Sequence, residues 1–264
     1  MNNNSPLVSV VISSFNHEKF VKLTIDSIFK QSYKNIEVFV IDDGSSDNTA
    51  VILKELSLKY NFYFEIQENM GLVPTLNRLY SMCNGKYIMP CASDDISYPD
   101  RMAKQVLYLE NNPAISVCYS NHFLINEKGE KLKAKTNLKE KLYSFNEIYI
   151  RNKSTAMLLI KRDFLIYPYY DSTFKLEDWY FLLKISQRGE KIGFIEDYLG
   201  EYRIHENNMS KQLQMMHNEK IKIVKHFRPK SNYLYFRSLF NVYIHFWFHR
   251  IYSIMPFNFG FKRK

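Results

Sequence analysis

Between Leu7 and Leu124 the chain alternates short β-branched runs with stretches at helical spacing, and this rhythm constrains the fold more than any other feature. Leu7–Ser13 (LVSVVIS) reads as a buried strand. Glu18–Gln31 follows with Phe20, Leu23, Ile25, Ile28 and Phe29 near helical spacing. Ile36–Ile41 is the second strand, and Asp47 or Asn48 can cap a helix over Thr49–Lys59. Tyr63–Gln67 reads as a third strand and Pro74–Cys83 as a helix with Pro near its start and Gly85 just past its end. Tyr87–Met89 begins a fourth strand, Pro99 opens a helix through Asn111, and Ile115–Leu124 is a fifth strand. Strands separated by single helices imply an α/β fold with a mostly parallel central sheet covered on both faces.

In such sheets ligands bind beyond the carboxyl ends of the strands. Asp42/Asp43 and Asp94/Asp95 both follow strands, so they are expected on one rim. Two carboxylate pairs there would repel each other unless a cation lay between them. A divalent metal on a diphosphate would serve, since hard cations take carboxylate and phosphate oxygens. The alternative is structural: one pair opens a turn and caps a helix, and the other lies in a solvated loop.

After residue 125 the rhythm breaks. Asn126–Gly129 (NEKG) reads as a hairpin turn. Residues 130–153 are Lys-rich and expected to be a mobile surface excursion. Ala156–Ile160 is a strand candidate, Leu176–Arg188 a helix, and Ile192–Ile195 and Leu199–Ile204 two further strands. The three cysteines, Cys83, Cys91 and Cys118, have neither the number nor the spacing of a disulfide framework or zinc ribbon, which fits a reducing compartment. The first basic residue is Lys19, so no signal-peptide n-region is expected, and no apolar run reaches the length of a transmembrane helix.

Charge divides the chain. Residues 220–264 hold ten Lys or Arg, no Asp or Glu, and 13 aromatics, whereas the other 219 residues carry 26 basic against 27 acidic side chains. Leu234, Phe236, Leu239, Phe240, Tyr243, Phe246 and Trp247 recur at helical steps, with Arg228, Lys230, Arg237 and Arg250 interspersed and Lys262-Arg263-Lys264 last. A basic, aromatic amphipathic segment suits an anionic membrane surface. Nucleic acid and packing against the body are the other two readings.

Several motifs occur in order: Pro6–Asn16 (PLVSVVISSFN), Gln31-Ser32-Tyr33, Ile36–Asp47 (IEVFVIDDGSSD), Asn69-Met70-Gly71 with Asn77, and Gly85–Asp95 (GKYIMPCASDD). Together they resemble the nucleotide-binding half of inverting glycosyltransferase family two, with a GT-A-type, Rossmann-like fold, and the resemblance covers about residues 5–210. It implies a catalytic domain over 1–219, with a nucleotide-sugar half at 5–125 and an acceptor half at 126–219, followed by a helical C-terminal extension at 220–264. By that resemblance Ser13 and Phe15 contact the nucleobase and Asp43 accepts the uracil N–H. Asn77 belongs to the donor site. Asp94 binds the ribose or donor sugar, and Asp95 holds Mn²⁺ or Mg²⁺ on the donor diphosphate. One departure is Ala92, where a common family form carries another acid.

The resemblance continues downstream. Asp178, after Glu177, matches the general base that deprotonates the acceptor hydroxyl. The bland reading is that both acids favour a helix N-terminus. Tyr202-Arg203-Ile204-His205 with Asn208 and Ser210 matches the closing element, with His205 near the metal or diphosphate and Arg203 meeting phosphate or an internal carboxylate. The remaining histidines show no pattern. Many relatives build lipopolysaccharide, capsule or other surface glycans on lipid-linked acceptors at the cytoplasmic face of the membrane.

The expectation is therefore a metal-dependent transferase using a nucleotide-sugar, UDP-linked by preference, with a glycan or lipid-linked acceptor and a peripheral contact with anionic membrane. Its rival is a non-catalytic scaffold of the same fold. A dinucleotide oxidoreductase is excluded because Ser13-Ser14-Phe15-Asn16 stands where Gly-x-Gly-x-x-Gly is needed. No P-loop, His-Glu-x-x-His or Gly-x-Ser-x-Gly element is present.

Overall fold

The structure is a computed structural model that describes residues 5–134, 139–152, 156–206 and 208–254. The first part of the chain runs β1 (Val8–Ser14), α1 (Val21–Phe29), β2 (Ile36–Asp42), α2 (Thr49–Tyr60), β3 (Tyr63–Ile66), α3 (Leu72–Met82), β4 (Tyr87–Ala92), β5 (Ile96–Ser97), α4 (Arg101–Asn111) and β6 (Ile115–Ile125). The second part adds β7 (Lys131–Ala134), β8 (Lys141–Tyr143), α5 (Phe145–Ile150), β9 (Leu158–Lys161), α6 (Glu177–Gln187), β10 (Lys191–Arg203), α7 (Leu213–His226) and α8 (Asn232–Ile254).

The ten strands among the described residues form one sheet, ordered β3-β2-β1-β4-β9-β6-β10-β5, with β7 on β6 and β8 on β10. The long pairings, β1 with β2 and β4, β2 with β3, and β6 with β10, are parallel. Antiparallel β9 joins the two parallel blocks by pairing with both β4 and β6.

Strand β1 shows why its residues take this place. Val8, Val10 and Ile12 face the core beneath α1, α2 and α4, whereas Val11 faces the core beneath α3 and α6. A strand buried on both faces needs a continuous apolar run rather than alternation, and all four of these side chains are fully buried.

The structure departs from the sequence reading in two places. Residues 130–153 are not a mobile excursion among the described residues: β7 and β8 pair with the sheet, and α5 is closed by a capping box between Ser144 and Glu147. The two strands expected near 192–204 are one, β10, whose register slips after Ile195 and again after Tyr198. These irregularities place polar residues where an unbroken strand would not, so the sequence reads as a gap.

The C-terminal extension is helical. Val242 of α8 is buried, Ser238 Oγ donates to the Tyr149 carbonyl at 2.8 Å, and Asn241 donates to the Ile150 carbonyl. His217 of α7 stacks on Phe246 with ring centroids 4.1 Å apart. One face of α8 thus packs on the body. Tyr233, Phe236, Phe240, Ile244 and Trp247 lie on the other face, each 38–68% exposed, and half-exposed Tyr243 at its edge meets the His217 ring edge-on. Lys262-Arg263-Lys264 lies outside the described residues.

Candidate functional site

The carboxyl ends of β1, β2 and β4 meet on one rim. Ser14 is level with Asp42, and Ser13 is level with Ala92. Asp42 is the last residue of β2, and Asp43, Asp94 and Asp95 lie just beyond the strand ends, on the side where a parallel sheet binds ligands.

The Asp42 side chain closes its own turn, accepting from the Ser45 amide at 2.9 Å and the Ser45 hydroxyl at 2.6 Å. Asp43 is buried and anchors the next loop. Its Oδ1 accepts from Gln67 Nε2 at 2.7 Å and the Met70 amide at 2.9 Å, and its Oδ2 accepts from the Gly71 amide at 2.8 Å. A carboxylate offers about four acceptor positions, so one remains on Oδ2. Gly44 is required here. Its φ is +75°, and a Cβ would sit 2.9 Å from the Asn69 nitrogen.

Asp94 and Asp95 point to different partners. Asp94 Oδ2 lies 3.0 Å from His205 Nε2, with both residues buried. Asp95 Oδ1 instead accepts the Arg203 backbone N–H at 3.0 Å, and its carbonyl accepts from Thr24 Oγ1 at 2.8 Å. Burial, and then the charge of Asp94, hold the Asp95 carboxyl well above the usual carboxylate range. The expected placement of the metal on Asp95 with His205 therefore meets a different geometry: the carboxylate beside His205 is that of Asp94.

Of the two expectations for Arg203, phosphate or an internal carboxylate, the structure fits the inward-facing one, with Asp94 and Asp95 as its nearby charges. The Arg203 side chain is fully buried beneath the rim, where Nε donates to the Asp94 carbonyl at 2.9 Å and Nη1 to the Asn126 and Glu127 carbonyls, each at 3.2 Å. The guanidinium lies over the Phe20 ring at 4.9 Å. Burial lowers its pKa, opposed by Asp94 and Asp95. Arg203 fastens the backbone of three loop residues and is not presented to a phosphate. Asn77 is likewise committed, because its amide exchanges two hydrogen bonds, each 2.9 Å, with the backbone of Tyr170.

Ser13 and Phe15 end β1. Ser13 is partly buried, whereas Phe15 is 44% exposed at the rim. Asp178 stands in the first turn of α6, half-buried, with Oδ1 accepting the Trp179 amide at 2.6 Å. Beside it, burial and the Asp178 charge push the Glu177 carboxyl up to about 8, and Glu177 Oε2 is buried with no hydrogen-bond partner among the described residues. Trp179 is core, donating from Nε1 to the Ile148 carbonyl at 2.8 Å.

His17 carries no signal in the sequence. It lies three residues past the end of β1, and its Nδ1 lies 2.7 Å from Ser93 Oγ. Its ring meets that of His205 edge-on, with centroids 5.3 Å apart. One donor atom each from His17, Asp94 and His205 falls within 4.8 Å of the others. Burial lowers the His17 pKa, with Asp94 opposing, so the ring is kept neutral and fit to ligate. Only the adjacency of β1 and β4 brings it to Asp94.

The profile of the family described as glycosyl transferase family 2 matches residues 9–169, more than half of the chain. The chain belongs to glycosyl transferase family 2. A glycosyltransferase of uncharacterized role from Methanocaldococcus jannaschii is 31% identical over 209 residues, covering 75% of this chain and 71% of the relative. One from Haemophilus influenzae is 31% identical over 243 residues, covering 84% of this chain and 73% of the relative. Among solved structures, S. aureus TarS in complex with UDP superposes with a TM-score of 0.71 at 17% identity, over 92% of this chain and 73% of that one. The mannosyltransferase PcManGT from Pyrobaculum calidifontis, in complex with GDP-Man and Mn²⁺, gives 0.67 at 14% identity, over 92% and 70%. The fold of this glycosyltransferase is the GT-A type that its motifs imply.

Proposed function

We propose that this glycosyltransferase moves a sugar from a UDP-linked donor to an acceptor hydroxyl, with inversion, using a divalent metal. The observation that carries the reading is the buried Asp94–His205 pair on the rim where the parallel strands end. A carboxylate oxygen is a ligand for Mn²⁺ or Mg²⁺, and an imidazole nitrogen is a ligand for transition dications such as Mn²⁺. When bound there, the dication neutralises the charge that develops on the departing diphosphate.

The chain's own groups then take the following roles. Phe15 offers an exposed aromatic face to the nucleobase and Ser13 a hydroxyl beside it. Asp43 holds the loop at 67–71 and keeps one acceptor position for the uracil imide N–H. Asp178 removes the acceptor's hydroxyl proton. The new bond forms at the anomeric carbon on the face opposite the diphosphate, and the bond to the diphosphate oxygen breaks. Asn77 acts at one remove, holding Tyr170, whose ring packs on Phe181 of α6 at 5.3 Å. Residues 1–219 form the catalytic domain, with the donor half at 5–125 and the acceptor half at 126–219.

The acceptor is a glycan or a lipid-linked glycan in lipopolysaccharide, capsule or other surface-polysaccharide synthesis, reached from the cytoplasmic face of the membrane. The support is α8. Its exposed residues fall on a stripe about 100° wide, opposite the face that packs on the body. Residues 220–264 around it carry ten basic and no acidic side chains. Such a stripe suits a peripheral contact with an anionic surface; among the described residues no helix is long and apolar enough to cross a membrane.

The test is nucleoside diphosphate release from a panel of UDP-, GDP- and dTDP-sugars, with Mn²⁺ and then with EDTA. Metal-dependent turnover of a UDP-sugar is expected. Release that persists in EDTA would sink the metal, and failure of every donor and of UDP to bind would favour a scaffold.

A further inference from the structure

We propose that His17 is a third protein ligand of the metal held by Asp94 and His205, and that this set selects a first-row transition dication over Mg²⁺. The inference rests on the metal-dependent reading above and deepens it by naming the metal class. Its ground is the meeting of three chain segments. His17 follows β1, Asp94 follows β4 and His205 follows β10, and one donor atom from each lies within 4.8 Å of the other two.

Distances and hydrogen bonds fit a shared ion. His205 Nε2 and Asp94 Oδ2 are 3.0 Å apart, so both donor atoms would be within reach of one dication. His17 Nδ1 is occupied by Ser93 Oγ at 2.7 Å, which leaves Nε2 for the metal and sets the ring orientation, the usual arrangement of a ligating histidine. The His17 amide donates to Thr49 Oγ1 at 2.8 Å, pinning the loop at its backbone. Phe20 packs against both imidazoles, with centroids 6.0 Å from His17 and 5.1 Å from His205. The ligand side chains are thus fixed from behind by groups that are not themselves ligands.

Chemistry supplies the selectivity. Mg²⁺ demands oxygen ligands in near-ideal octahedral geometry, whereas imidazole favours borderline transition dications. One carboxylate with two imidazoles moves the site away from Mg²⁺, and along the first row affinity should rise from Mn²⁺ to Co²⁺.

The experiment is titration calorimetry of Co²⁺, Mn²⁺ and Mg²⁺ into the full chain, each metal alone and again with saturating UDP. The parent is compared with His17→Ala and His17→Asp. The parent should bind Co²⁺ and Mn²⁺ far more tightly than Mg²⁺. His17→Ala should weaken both transition metals by at least the roughly 10–100-fold that an outer-shell change alone costs. His17→Asp should raise Mg²⁺ binding and narrow the gap. Unchanged affinities and unchanged selectivity in His17→Ala would overturn the inference. Spin-echo modulation of the Mn²⁺-loaded parent needs no variant: two coupled imidazole nitrogens are expected, and one or none would also overturn it. If the metal binds as described but no nucleotide does, the glycosyl-transfer reading fails while this site stands. If UDP binds but no metal binds under either condition, the reverse holds.

Discussion

His205 Nε2 and Asp94 Oδ2 lie 3.0 Å apart across 111 residues of sequence, while the adjacent Asp95 turns away to accept the Arg203 backbone N–H. Neighbouring carboxylates with different partners should respond differently to the same change. Asp94→Asn should lower transfer on the order of 100-fold or more, because it removes the anionic ligand at the diphosphate. Asp95→Asn keeps a carbonyl oxygen for the Arg203 amide and should retain activity within about tenfold. Donor turnover with a thermal melt for each variant checks this. Silencing by Asp95→Asn alone would reverse the assignment.

Arg203 should behave as a structural residue. Three backbone carbonyls, of Asp94, Asn126 and Glu127, take their hydrogen bonds from one buried guanidinium. The Asn126 carbonyl keeps the Gly129 amide, so Arg203→Ala leaves those of Asp94 and Glu127 unsatisfied and should cost about 2 kcal/mol or more. Arg203→Lys should recover only part, since one ammonium cannot reach three carbonyls with the same planar geometry. Denaturant unfolding measures both. A fully stable Arg203→Ala that has lost only donor affinity would restore the phosphate-binding role.

Glu177 should reveal itself through the pH dependence of stability, and Asp178 through turnover. The Glu177 carboxyl is pushed up to about 8, first by burial and then by the charge of Asp178. The folded chain therefore holds this proton more tightly than the unfolded chain, whose glutamates titrate near about 4.3. The resulting stability is complete below that value and drains as pH climbs through about 8. Glu177→Gln cannot ionise, so its unfolding free energy should decline less between about pH 5 and 8, with its advantage over the parent growing as pH rises. Asp178→Asn should reduce transfer by roughly 100- to 10,000-fold with UDP binding unchanged. A Glu177→Gln variant with the parent's pH profile, or an active Asp178→Asn, would count against these roles.

The free face of α8 should bind lipid. Sedimentation with vesicles of phosphatidylcholine alone and with added phosphatidylserine should show binding only to the anionic set, weakening with salt because each surface cation contributes about 1 kcal/mol. Changing Phe236, Phe240 and Trp247 together to Ser should abolish binding and leave donor turnover on a soluble acceptor unchanged, since all three are more than half exposed. Equal binding to both vesicle types would remove the electrostatic part of the argument. A concentration-dependent dimer lost with the same three changes would assign the face to a second copy instead.

Much of this protein can be read along the chain. The runs of β-branched residues that become β1, β2 and β4, and the helical spacing of α1 and α4, follow from local geometry, because a strand or helix declares its period within a few residues. The rim location of Asp42, Asp43, Asp94 and Asp95 follows too, since parallel strands align their carboxyl ends. Harder to read were β7, β8 and α5, which lie in a Lys-rich stretch and owe their existence to pairing with β6 and β10 and to the core beneath Ile148 and Tyr149.

The sequence by itself therefore determined the fold class, the family and the edge of the sheet where chemistry is to be sought. Tertiary structure alone decided which side chain does what there. It set Asp94 rather than Asp95 against His205, buried Arg203 under three carbonyls, and brought His17 to Asp94 from 77 residues away in sequence. The physical reason is range: periodicity is a property of neighbours in the chain, whereas hydrogen-bond partners and ligand sets depend on angstrom-scale positions fixed when distant strands pack side by side.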